Sequence, residues 1–190
     1  MQKPKGYDDV KPYVQQERLP AGGYVLKIMK AEEVKYDWGS VLLISFDVAE
    51  GECKDFFANN YRNQQMEDKK WKGTFRLNVP TGDGTDKDNN AARRFKTNMN
   101  MVEDSNQNFH WDWDETKLKG LLVGAVFNNK EYEFNGRHGF YTNCHHFETI
   151  ENIRNEKFKV PDDTLLNGKT KSAINVDDYE EITDDGDLPF

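Results

Sequence analysis

Residues 121–150 read L-L-V-G-A-V-F-N-N-K-E-Y-E-F-N-G-R-H-G-F-Y-T-N-C-H-H-F-E-T-I. Two alternating runs, Leu121–Phe134 and His138–Ile150, flank Asn135-Gly136. Asn-Gly supplies two consecutive left-handed backbone positions, which a two-residue hairpin turn needs, so the stretch predicts a long antiparallel hairpin. Strands to join it lie upstream. Leu19-Pro20-Ala21-Gly22-Gly23 is turn chemistry, and Tyr24–Tyr36 alternates with an irregularity after Ile28. After the turn Asp37–Ser40 comes Val41–Val48, β-branched and apolar, the most strand-like segment of the chain. Lys54–Tyr61, following the turn Glu50–Glu52, reads as a third strand, and Thr74–Val79 alternates as another.

Residues 89–103 are the helix candidate: Ala92, Phe95, Met99 and Val102 fall on one face, with Asp86 or Asp88 as N-cap. Phe109–Trp113 alternates aromatic with acidic side chains, and Asp114 starts a short capped turn. Three or four strands, a helix and a hairpin predict a mainly β fold. The expectation is a five-stranded barrel of the oligonucleotide-binding (OB) kind, with one α-helix between strands 3 and 4 and extended N- and C-terminal arms. A sandwich with one helix fits less well. The expected organisation is an arm over residues 1–18, the barrel domain over 19–161 and a disordered acidic tail over 162–190.

The 190 residues carry a formal charge of −8. Residues 177–190 hold seven acidic side chains and no basic one, which leaves −1 for residues 1–176. The body is therefore near neutral, and overall acidity does not exclude a nucleic-acid partner. Aromatics make up 13% of a chain only 36% hydrophobic, as expected of a β-rich body with aromatic surface contacts; aromatic packing in the core gives the same count. No apolar run approaches ~18 residues and the N-terminus has no apolar signal core, so a membrane span and export are not expected and a cytoplasmic location is. Cys53 and Cys144 are then read as free thiols.

The tail closes on Asp184, Asp185, Asp187, Leu188, Pro189 and Phe190: an acidic run ending in a hydrophobic tip. A Phe ring can enter an apolar pocket while the terminal carboxylate pairs with a basic group beside it. This ending resembles the C-terminal tip of bacterial and phage single-stranded DNA-binding proteins, where acidic residues precede Ile/Leu-Pro-Phe. Leu42–Glu52, Val102–Asn106 and Leu118–Gly124, within residues 19–161, resemble phage and mobile-element proteins with a suspected role in binding single-stranded DNA. The resemblance implies an OB barrel that sequesters the strand in replication or recombination, and a tail that docks replication and recombination proteins. Homo-oligomers occur among such binders.

Holding a single strand takes cations along the phosphates and aromatic faces under the bases. Tyr61, Arg62, Lys69, Lys70, Trp71, Lys72 and Arg76 form the first such cluster, against a reading as a solvated loop with Trp71 covering the core. Arg93 and Arg94 lie on the polar side of the helix, where solvation alone accounts for most charges. Arg137 and Tyr141 flank the hairpin tip, and Trp38 sits in the first strand turn; these loops form the groove walls of an OB barrel. Trp111 and Trp113 alternate with acids that repel phosphate, so core packing or a barrel-end plug is expected of them.

Cys144-His145-His146 with His138, His110 and Cys53 shows neither C-x2-C nor H-x3-5-H spacing, and adjacent strand histidines point to opposite faces, so no metal is expected. No nucleotide, hydrolase or metalloprotease motif is present, and neither catalysis nor a cofactor is expected. Two other classes compete with the single-strand binder: an acidic interaction module or decoy without nucleic-acid affinity, and a small-molecule or glycan-acting β-barrel.

Overall fold

The computed structural model describes residues 2–9 and 18–166. The tip Asp184–Phe190, expected to bind partners, lies outside them. The elements run β1 (Gly22–Tyr36), β2 (Gly39–Val48), α1 (Phe56–Asn63), β3 (Thr74–Asn78), α2 (Asp86–Ser105), a 3-10 turn (Glu115–Leu118), β4 (Leu122–Phe134), β5 (Arg137–Glu148) and α3 (Ile150–Arg154). The five strands form one antiparallel sheet in the order β3-β2-β1-β4-β5. The sheet is not closed by hydrogen bonds between its edge strands β3 and β5, although Phe75 and Phe147 bring them together with ring centroids 4.7 Å apart.

The hairpin is present, with positive φ at both Asn135 and Gly136. The irregularity in β1 is a register shift between Ile28 and Lys30, which lets the strand pair with β4 through Gly22–Lys27 and mainly with β2 beyond it. Phe46 centres the core, edge-on to both Phe57 and Phe127. A smaller cluster lies on the outer side of β1 and β4, where Ile153 and Phe158 pack over Val25 and Val126. Gly124 makes that approach possible, because a Cβ there would sit 2.6 Å from both Ile153 Cγ1 and the Thr149 carbonyl oxygen.

Several expectations need correction. The single helix becomes three among the described residues. Lys54–Tyr61 is not a strand, because α1 occupies it. The Asp47 carboxylate accepts from Phe57 N at 2.9 Å and Ala58 N at 3.0 Å, tying down amides that a helix start leaves without partners. The sequence also places Phe56 and Phe57 side by side, and only Phe57 is buried. Helix α2 is capped by Thr85, whose hydroxyl accepts from Asp88 N; the Asp88 carboxylate instead holds Thr81 N and Gly82 N of the preceding loop.

At the C-terminal side, residues 162–166, assigned to the tail, run beside β4. Thr164 N donates to Asn129 O and Glu131 N to Thr164 O, so this segment occupies the β4 edge that lies beyond β1.

Candidate nucleic-acid interface

Alternation on the short strand β3 buries Phe75 and Leu77 and turns Arg76 outward. Register carries that outward face across the sheet: Arg76 faces Leu43, and Leu43 faces Glu32. Thr74 and Ser45 lie on the same side, as do Asn78, Val41, Val34 and Tyr36. Leu43, Ser45, Thr74 and Arg76 belong to neither core cluster. They form a polar-apolar floor that carries Arg76 and, on β1, the Glu32 carboxylate paired with Lys30 at 2.6 Å.

One end of this floor is the β1–β2 turn. Trp38 is 56% exposed and stacks on Tyr36, centroids 5.1 Å apart and planes within 6°. Tyr36 lies outside the set of site residues read from the sequence. Its signal was there, an aromatic two residues before a turn Trp, on the face that strand parity turns outward. Tyr36 backs one face of the indole and leaves the other for a planar ligand.

Beyond the other end of β2 lies the first basic-aromatic cluster, and the fold assembles much of it. The Tyr61 and Trp71 rings are 5.8 Å apart, and Lys69 Nζ lies 5.9 Å from the Tyr61 centroid while donating to Arg62 O at 2.9 Å. Gln64 grips the Lys70 backbone from both sides, donating to its carbonyl and accepting from its amide. Trp71 is half-buried, and its indole N–H donates to Phe46 O and Gly73 O, so it anchors the loop to β2. Its site role is therefore at most shared with a structural one. Arg62 folds back onto its own helix through Asn59 and Ala58. Burial pushes the Lys72 amine below the ordinary lysine range.

Arg94 lies over Phe75, 5.9 Å from the ring centroid, at the β3–β5 seam; Arg93 is exposed one position before it. Arg137 is exposed at the hairpin tip, and Tyr141 is half-buried with its ring 6.3 Å from Tyr132. The hairpin pairs with neither β2 nor β3, and it leaves the β1–β4 ladder at the end opposite to the Trp38 turn. Arg18 Nη1 bonds Phe140 O along its β5 edge. Trp38 and Arg76 thus share the outward face of β1–β2–β3, the Tyr61 cluster lies beyond the end of β2 with Trp71 packed on the core, and Arg137 and Tyr141 stand on a separate wall.

Trp111 packs against the core, as expected, but Trp113 is 61% exposed. The His145 and His146 side chains do not diverge. A register shift in the β4–β5 ladder makes His145 the extra residue, and the two Nδ1 atoms lie 2.8 Å apart. Burial first, then His146 and Arg94, push His145 down to about 4. Among the described residues no group of three or more His, Cys, Asp or Glu side chains is placed to hold a metal, and no helix is long and apolar enough to cross a membrane. No protein-family model matches the chain, and a search of curated proteins finds no significant match.

Proposed function

We propose that this chain is a non-catalytic single-stranded DNA-binding protein of phage or mobile-element replication and recombination. In this reading the body is a five-stranded OB barrel, open at the β3–β5 seam, that works in the cytoplasm. The observation that carries the reading is the outward tract of β1–β2–β3, with the Tyr36-backed Trp38 at one end, Arg76 in the floor and the Tyr61–Lys69–Trp71 cluster beyond the other. From Gly39 to Ser45 at ~3.3 Å per residue the floor is roughly 20 Å long. That suits about four nucleotides, the lower end of OB site sizes. The strand order, with Phe75 and Phe147 drawing the edge strands together, also favours an OB barrel over a flat sandwich.

Bases stack on the indole face and phosphates pair with Arg76 and the lysines. The Asp184–Phe190 tip recruits replication or recombination proteins. The seven acids of residues 177–190 compete for the same cations when DNA is absent.

Fluorescence anisotropy with labelled single-stranded DNA, duplex DNA and RNA across a salt series tests this. The expected result is preference for single-stranded DNA with affinity falling as salt rises. Absence of binding at low salt overturns it and leaves the acidic interaction module. Deleting residues 177–190 should tighten binding at low salt; equal affinity at every salt concentration removes the competition.

A further inference from the structure

Trp113 combines three features that core packing does not require. Its backbone is left-handed, φ 67°, a region that bulky side chains rarely adopt. One face of its indole stacks on Phe95, centroids 5.4 Å apart and planes within 7°, while 61% of the residue is exposed. The loop is fixed from both sides of the Trp. Asp112 pairs with Lys117, and Asp114 caps the following 3-10 turn through Thr116 N at 3.1 Å. Before it, Glu103 Oε1 accepts from Trp111 N at 2.7 Å. A strained loop held this firmly presents an aromatic face outward.

The surroundings decide the ligand. Asp112 and Asp114 flank Trp113 in the chain and share Lys117, while Glu103, which holds Trp111 N, faces His110 at 3.4 Å. Carboxylates repel the phosphates of a nucleic acid, so this Trp is not a continuation of the tract above. An indole face rimmed with carboxylates attracts a cation that also stacks, which describes a guanidinium better than an ammonium. We infer that Trp113 is a docking shelf for an arginine side chain in a basic segment of a partner protein, separate from the acidic tail.

The test uses the full chain, 15N-labelled, with the four tryptophan indole resonances assigned through Trp38→Phe, Trp111→Phe and Trp113→Asn, which leaves Trp71 by elimination. Asn tolerates the left-handed backbone, so Trp113→Asn keeps the loop conformation while removing the stack on Phe95. The probes are Arg-Gly, Lys-Gly and Gln-Gly repeat peptides of equal length at low salt. The tail binds cationic peptides as well, but the indole signals read the shelf alone. The Arg-Gly peptide should shift the Trp113 and Trp111 indoles with Trp38 unmoved. The Lys-Gly peptide should bind the shelf about threefold more weakly, as should the Arg-Gly peptide with Asp112→Asn plus Glu115→Gln. The Gln-Gly peptide should leave Trp113 unmoved. An unmoved Trp113 at saturating Arg-Gly peptide, or equal shifts from all three peptides, overturns the assignment. A Trp113 shift on adding a single-stranded oligonucleotide makes the shelf a base platform instead. A shift on diluting the protein alone assigns it to a second copy. Either result contradicts the inference.

Discussion

Among the described residues, Asp47 is one of the few charged side chains that the core buries. Its buried carboxylate accepts from Val48 N, Phe57 N and Ala58 N, and so joins the end of β2 to the start of α1. Asp47→Ala leaves those amides without an acceptor and should cost about 1–3 kcal/mol, measured as a lower urea midpoint. An unchanged midpoint would mean that α1 is held by Phe57 alone. His145 makes a second prediction at this scale. Its folded-state pKa of about 4 lies below the ordinary 6.5. Between those values the unfolded chain binds a proton that the folded chain refuses, so stability falls as pH drops through that window. His146 is shifted the same way, chiefly by burial. The urea midpoint should therefore be lower at pH 5 than at pH 7, and His145→Gln should flatten the difference. Equal pH dependence in the variant would place the titration elsewhere.

The open seam between β3 and β5 is closed by side chains rather than by a ladder. Asn98 of α2 is buried, accepts from Phe147 N at 2.8 Å and donates to Arg94 O at 2.8 Å. Both bonds depend on the amide. Asn98→Ala should cost about 1–3 kcal/mol in chemical denaturation and speed hydrogen exchange at Phe147 before other β5 amides; exchange that rises uniformly along β5 would contradict this role. The hairpin, the β1 irregularity and the buried face of α2 were legible in the sequence, because turn chemistry and periodicity are local. Helix α1 was not, since its cap comes from Asp47 across the turn that follows β2 and Phe56-Phe57 mimics a strand. Of the candidate site, the exposure of Trp38 and Arg76 and the nearness of Tyr61, Lys69 and Trp71 were legible, but the buttress Tyr36 and the anchoring of Trp71 to the Phe46 carbonyl depend on register.

For the whole molecule, the decisive feature is how the faces of the sheet are shared out. The inner face holds the core, and α3 with Phe158 covers the outer face of β1 and β4. The outward tract of β1–β2–β3 has Arg76 exposed in its middle and Trp38 exposed at its end. A body of charge −1 binds a polyanion only if its cations gather on one tract, and the outward face of β1–β2–β3 is the one that carries both Arg76 and the exposed Trp38. Measuring single-stranded DNA affinity across a salt series for the full chain and for Trp38→Ala/Arg76→Gln is the most direct test. The account predicts a loss of roughly 1–3 kcal/mol in binding from the missing stack. It also predicts a log–log salt slope shallower by about 1. Wild-type affinity and slope in the double variant would contradict it.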